Sequence, residues 1–380
     1  MLAIKGGKVI TVSSAGTVDN AVVLIEGDSI KDIGSGINIP AGCDLVDAHG
    51  LYILPGFIDA HTHIGLEEEI YQVEGDDVNE TSDPITPELR ALDGINFLDL
   101  AFRDALRGGV TRMMSMPGSA NIIGGQAVFL KAMAPSMSEM VYRQPWGLKA
   151  ALGENPKRVY GEQKKMPRTR MANASMLREA LYTAGKNIDK TVEPAVEFRQ
   201  QSLIKVLRRE MPLLIHAHRA DDILTALRIK DEFDIDMIIQ HATEAVTVAD
   251  ELIKRQVPIF IGPLLINRAK VELKDVSFKN AMLLAEKGIK FSIITDHPVT
   301  PIEHLRVTAA LAVREGLDET AALEAITINP STALKVDDEI GSLSKGKKAD
   351  LVAYNGHPLD NRSRVKWAMV DGRMWRGEFE

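Results

Sequence analysis

The chain has 380 residues, of which 45% are hydrophobic and 26% charged. That balance excludes a disordered or fibrous polypeptide, and at roughly 150 residues per domain the length suits two to three domains or one large α/β barrel with an attachment. Fifty-three acidic against 45 basic residues leave a net charge of −8, which argues against nucleic acid as a partner, because phosphate binding needs surplus Lys and Arg.

Residues 1–52 read as short strands and turns. MLAIKGGKVIT, AVVLIEGDSIKDIG and DLVDAHGLYIL carry β-branched residues broken by Gly, Asp or Asn. The opening segment lacks the apolar core of a signal peptide, and no run approaches the ~18 apolar residues of a membrane span. A soluble, cytoplasmic protein without a membrane partner is the expectation. Cys43 is the single cysteine, so neither an internal disulfide nor a thiolate zinc site can form.

From residue 53 the texture changes to short apolar strands alternating with helical segments. The predicted strands are 52–61, 110–116, 127–132, 146–152, 212–218, 236–241, 257–262 and 290–296. Thr86-Pro87 suits a helix start and Gly108-Gly109 a stop. Asp221 or Asp222 can cap the next clear helix, and Gly288 and Gly316 suit left-handed exits. Eight strands with intervening helices predict a parallel (β/α)8 TIM barrel over 53–335. A doubly wound sheet would need a Gly-rich phosphate loop after its first strand, and IDAHTHIG is not one. Strands return in 336–380. Head and tail are expected to pair into one small discontinuous β-sandwich domain, interrupted by the barrel.

The chemistry falls at strand ends. His61 and His63 close the first barrel strand at i and i+2, a spacing that turns both imidazoles to one side. That side is the C-terminal mouth, where barrel active sites are built. His216 and His218 end the fifth strand with the same spacing. His241 ends the sixth, and Asp296 ends the eighth, followed by His297. All lie at the ends of apolar strands, a pattern that packing alone does not require. Imidazole and carboxylate are the donors that suit Zn²⁺, Mn²⁺ or Fe²⁺.

PGFIDAHTH, the strand-five HAH, the strand-six His and the late TDHP resemble the amidohydrolase superfamily of metal-dependent hydrolases. The flanks LVDAHGLYILPGFID and NPSTALKVDDEIGSLSKGKKADLVAYN are similar to that superfamily's entry and exit segments. Within it the chain looks closest to the imidazolonepropionase-related group. The resemblance implies that His61 and His63 bind the more buried metal. A strand-five His and His241 bind a second metal where there is one. It also implies that Asp296 binds metal and acts as base toward the attacking water. His218 lies nearer the strand end than His216, and both remain candidates. A strand-four Lys, carboxylated, or a Glu bridges two metals in the family; here Lys149 and Glu154 both fit, so one or two ions, zinc foremost, are expected. His297 is a candidate hydrogen-bond donor beside Asp296.

Three loops bear on the substrate. The segment after His63 is acidic, with Glu67, Glu68, Glu69, Glu74, Asp76, Asp77, Glu80 and Asp83; over the mouth it would favour a cationic group, and otherwise it is a solvated loop. MPGSANIIGGQ (116–126) suits a tight loop offering backbone N–H groups. The stretch 155–171 is basic, with Lys157, Arg158, Lys164, Lys165, Arg168 and Arg170, and reads as an exposed loop or a carboxylate-binding one. The expected activity is hydrolysis of a C–N bond in a small peptide-like or cyclic substrate. The rivals are a heterocycle deaminase and a catalytically silent barrel used for assembly. The deaminases of the superfamily carry a Glu soon after the strand-five His, whereas here Asp221 and Asp222 stand in that region. A homo-oligomer is compatible with all of these readings.

Overall fold

The computed structural model describes residues 1–70, 73–188, 190–191 and 193–377. Tyr71 and Gln72 of the acidic segment, and the end of the predicted tail strand from residue 378, lie outside the described residues. Among the described residues the strands form two sheets of eight.

The first sheet comes from the two chain ends. The head supplies β1 (Leu2–Ile10), β2 (Thr17–Glu26), β3 (Ser29–Gly34), β4 (Asp44–Asp47) and β5 (Tyr52–Pro55). The barrel strands then run from β6 to β13, and the tail adds β14 (Leu351–Tyr354), β15 (Val365–Val370) and β16 (Arg373–Trp375). The strand order is β16-β15-β14-β5-β1-β2-β3, and β1 shares one edge between β4 and β5. The head-to-tail join is the antiparallel β5–β14 ladder. Ile4, Val9, Val23, Ile53, Leu351, Ala353, Trp367 and Met369 fuse the two ends into one apolar core.

The predicted strand 52–61 is in fact two. β5 belongs to the terminal sheet and β6 (Phe57–Thr62) to the barrel, and Gly56 makes the crossing. A Cβ there would sit 2.1 Å from the Thr111 side chain, so only glycine lets the chain pass between the sheets.

The barrel continues through β7 (Val110–Ser115), β8 (Ile123–Lys131), β9 (Val141–Ala151), β10 (Leu213–Ala217), β11 (Met237–His241), β12 (Ile259–Ile261) and β13 (Phe291–Ile293). Alternation sorts each strand into two faces. Ile58, Ala60, Met114, Met116, Phe129, Leu214, Ile238 and Phe260 fill the interior. Phe57, Met113, Val128, Leu130, Leu148, Ile215 and Ile239 pack outward against the helices. The barrel is nearly closed. Thr62 bridges His297 in parallel, and the His63 amide donates to the His297 carbonyl at 2.8 Å.

One strand departs from the all-parallel expectation. β8 runs antiparallel to both β7 and β9. The connections on either side span only residues 116–122 and 132–140. A parallel return needs about a dozen residues or more, usually with a helix, so a chain this short between strands must turn back on itself. Thr86-Pro87 opens no helix either. The buried Thr86 hydroxyl donates to the Ile123 carbonyl instead, and the helix that stops at Gly109 spans Ala101–Gly108. Gly109 has φ +86° and caps that helix in the left-handed region. No helix among the described residues is long and apolar enough to cross a membrane.

Candidate metal centre

The inward faces of β9, β10 and β11 carry polar residues at their C-terminal ends, above the apolar fill. His216 follows Leu214, Gln240 follows Ile238, and Lys149 alternates with the outward Leu148 and Ala150. His61 lies at the end of β6 and His63 just past it, beside the turn that carries Asp296. The structure brings these side chains into two adjacent groups: His61, His63 and Asp296, and His216, His218 and His241. Within each group the ligand atoms all lie within 4.8 Å of one another. The His61 and His241 ring centroids, 4.7 Å apart, join the groups into one centre.

The strand ends are bent to make this convergence. His241, Ala242 and Asp296 have φ of +72°, +45° and +56°, a left-handed conformation unusual for non-glycine residues. Backbone strain of this kind concentrates at functional sites. It is held here by the Ala242 amide donating to the Ala217 carbonyl at 3.1 Å and the Asp296 amide donating to the His61 carbonyl at 3.2 Å. Below Asp296, the buried Asp59 accepts from the Thr295 hydroxyl at 2.5 Å. Burial pushes the Asp59 carboxyl up to about 7, against the Thr295 and His61 hydrogen bonds.

The hydrogen bonds sort the imidazole nitrogens. Nδ1 of His63 is 2.7 Å from the Met116 carbonyl, Nδ1 of His218 is 2.8 Å from the Thr243 hydroxyl, and Nδ1 of His241 is 2.8 Å from the Gly262 carbonyl. The carbonyl partners make His63 and His241 donate from Nδ1, so their Nε2 lone pairs face the centre, the arrangement typical of metal-binding histidines; the Thr243 hydroxyl holds the His218 ring in the same orientation. Both nitrogens of His61 and both of His216 have no hydrogen-bond partner although they are buried. His61 Nε2 is 2.9 Å and His63 Nε2 3.3 Å from Asp296 Oδ1. The first contact is short, yet its geometry makes no hydrogen bond, as for two donors aimed at a common cation.

Burial holds His61 and His218 down to about 3 and His216 and His241 well below the usual imidazole range. Neutral rings with free lone pairs are what a metal requires. Burial alone would raise Asp296, but facing His241, His61 and His63 holds its carboxyl well below the usual range. Lys149 is buried and donates from Nζ to Gln240 Oε1 at 2.7 Å, and burial lowers its ammonium to about 7. His297 is fully buried. Its Nδ1 accepts from the Ile302 amide at 3.2 Å and its Nε2 lies 3.8 Å from Glu69 Oε1.

Glu154 does not enter the barrel. It begins the helix Glu154–Glu162 and exchanges two bonds with Glu272: its amide donates to Glu272 Oε2 at 3.2 Å, and its carboxylate accepts from the Glu272 amide at 3.3 Å. Glu272 escapes the sequence pattern. It lies in NRAKVELKD, with no apolar strand leading into it, yet it is completely buried, 3.5 Å from His216 Nε2. Gln240 carried a readable signal, because alternation on β11 turns it inward with Ile238.

The loops divide. Glu69 reaches His297, and Glu67 is half-buried, with burial raising its carboxyl and His63 opposing that rise. In 116–126 the end is strand, and Asn121 ties the rest to Thr86 and Tyr160. The basic stretch is helix up to Glu162; Lys164, Lys165 and Arg168 are exposed, and Arg170 pairs with the buried Asp222 at 3.0 Å. A cleft of about 890 Å³ opens at the other end of the barrel, lined by Ile10, Pro258, Ile259 and Phe291. It holds none of the clustered histidines.

A model of the amidohydrolase family matches residues 52–375. Amidohydrolase tasK of Hapsidospora irregularis is 27% identical over 368 residues, covering 88% of this chain and 37% of its own length. A dihydroorotase of Geobacter sulfurreducens is 46% identical over 70 residues, 17% of this chain and 16% of that protein. This chain thus spans little over a third of tasK and less of the dihydroorotase. The crystal structure of an amidohydrolase from Thermotoga maritima MSB8 superimposes with a TM-score of 0.94 at 39% identity, covering 99% of this chain and all of that one. A prolidase solved with N-methylphosphonate-L-proline covers 99% of both chains with a TM-score of 0.63 at 16% identity, a likeness of fold alone.

Proposed function

Because the chain belongs to the amidohydrolase family, we propose that it is a hydrolase acting on carbon–nitrogen bonds that cleaves an amide in a small peptide-like or cyclic substrate, using a divalent metal, zinc foremost. The observation that carries this reading is the inward turn of Nε2 on His63, His218 and His241, beside the unpartnered nitrogens of His61 and His216. His61, His63 and Asp296 would hold one ion. His241 with His216 and His218 would hold a second. A metal there supplies Lewis acidity, polarising the carbonyl and making water a nucleophile near neutral pH.

The chain's own residues do the rest. Asp296 uses Oδ1 toward His61 and His63, which leaves its other oxygen to take the proton of the attacking water and pass it to the leaving nitrogen. His297, whose Nδ1 accepts from the Ile302 amide, is placed to donate from Nε2 next to Glu69. As an ammonium Lys149 stays paired with Gln240; its neutral amine, which burial favours, would add carbon dioxide, release a proton to solvent and offer the resulting carboxylate to the metal. Glu67 and Glu69 at the rim favour a substrate with a cationic group. The deaminase reading loses support, because Asp221 and Asp222 are spent on Arg219 and Arg170.

A hydrolysis screen across dipeptides, N-acyl amino acids and cyclic ureides, run with the zinc-loaded protein, tests the proposal. Turnover of at least one class that stops with a chelator and returns with zinc is expected. Turnover indifferent to chelation would refute it.

A further inference from the structure

Glu272 is a buried carboxylate with one oxygen accounted for and one not. Oε2 accepts from the Glu154 amide, and Glu154 in turn accepts from the Glu272 amide, so the side chain is clamped from both sides. Gly153 leaves room for the clamp: it has φ +84°, and a Cβ there would lie 2.9 Å from Oε2. Oε1 is buried without a hydrogen-bond partner. It lies 3.5 Å from His216 Nε2 and 3.8 Å from His218 Nε2.

A buried carboxylate oxygen left unpaired is costly. The nearest Lys does little to relieve it. Lys270 Nζ stands 4.0 Å away and donates to Asn155 Oδ1. The pair with His216 is not a hydrogen bond either, since His216 Nε2 is also unpartnered. Two ligands at about 2.0–2.1 Å from a tetrahedral zinc stand roughly 3.3–3.4 Å apart. The separations of 3.5 and 3.8 Å from Glu272 to the two histidines are close to that value, as are those of 2.9 and 3.3 Å from Asp296 to His61 and His63.

We propose that Glu272 is the carboxylate ligand of a second metal position formed with His216, His218 and His241, as Asp296 is for the position formed with His61 and His63. The proposal rests on the metal-dependent reading above. Glu154 is then a positioning residue: it holds Glu272 so that Oε1 alone faces the imidazoles. Three neutral imidazoles leave a dication's charge uncompensated, and Glu272 supplies the anion inside a buried site.

The test is zinc titration of the full chain under competition with a chromophoric chelator, with metal counted by mass spectrometry. The native protein is expected to bind two equivalents. Glu272→Gln is expected to keep the first and to bind the second at least about tenfold more weakly, with altered visible absorption of the cobalt-loaded form. Lys270→Met is expected to leave both unchanged. If Glu272→Gln does not fold, Glu272→Asp, which keeps the charge but shortens the reach, is expected to show the same weakening. Two equivalents at native affinity in these Glu272 variants overturn the proposal. A single equivalent in the native protein also overturns it and leaves the metal-dependent reading standing; no bound metal in the native protein overturns both.

Discussion

Thr243 shows how a residue outside the ligand groups can set their geometry. Its hydroxyl is the outward partner of His218 Nδ1, and the bond fixes which nitrogen faces the centre. Thr243→Val, nearly the same in shape, should weaken zinc binding by about 10–100-fold while unfolding at close to the native temperature. Chelator competition and thermal melting measure the two sides. Asp296→Asn should keep the fold and much of the metal and lose about 10²–10⁴-fold in kcat on a substrate found by screening. Unchanged turnover would remove Asp296 from the proton-transfer role. The convergence of His61, His63, His216, His218, His241 and Asp296 was legible because each stands at or just past the C-terminal end of a short apolar strand. Glu272 was not, because its burial comes from a loop folding back over the mouth, and a charged residue in a charged segment has no local mark of that.

At the scale of elements, strand positions follow from short apolar runs, since alternation and β-branching are local. Strand direction does not. That β8 runs backwards depends on connections too short for a parallel crossover, and residues 127–132 read the same in either direction. The break of 52–61 at Gly56 is likewise tertiary: it reflects the Thr111 side chain on the neighbouring strand. Gly109 is the element-scale position most open to test. It has φ +86°, and an added Cβ would meet the Tyr354 hydroxyl at 2.4 Å. That hydroxyl donates to the Gly108 carbonyl at 2.8 Å. Gly109→Ala should cost roughly 1–3 kcal/mol, read as a lowered denaturant midpoint with an unchanged slope.

For the whole molecule, the pairing of the two chain ends was visible in their shared strand texture, but what locks them to the barrel was not. Arg112 on β7 is completely buried and donates to Asp350 at 2.5 and 3.0 Å and to Asp371 at 2.5 Å, both in the tail. Arg306 adds bonds to the carbonyls of Pro358, Asp360 and Ser363. Arg112→Met would leave Asp350 buried without its cation and should cost about 3–5 kcal/mol. The native protein should melt in one transition because the terminal sheet and barrel share these contacts; separate transitions would contradict that coupling. The barrel in turn exists, on this account, to bring donors from β6, β10, β11 and the β13 turn around a metal. The most direct test is the metal content of the native protein, measured by mass spectrometry before and after exhaustive chelation and alongside turnover. Bound zinc or a similar divalent ion, activity lost on its removal and activity restored on its return are predicted; a folded, active chain that neither carries nor takes up such an ion would contradict the account.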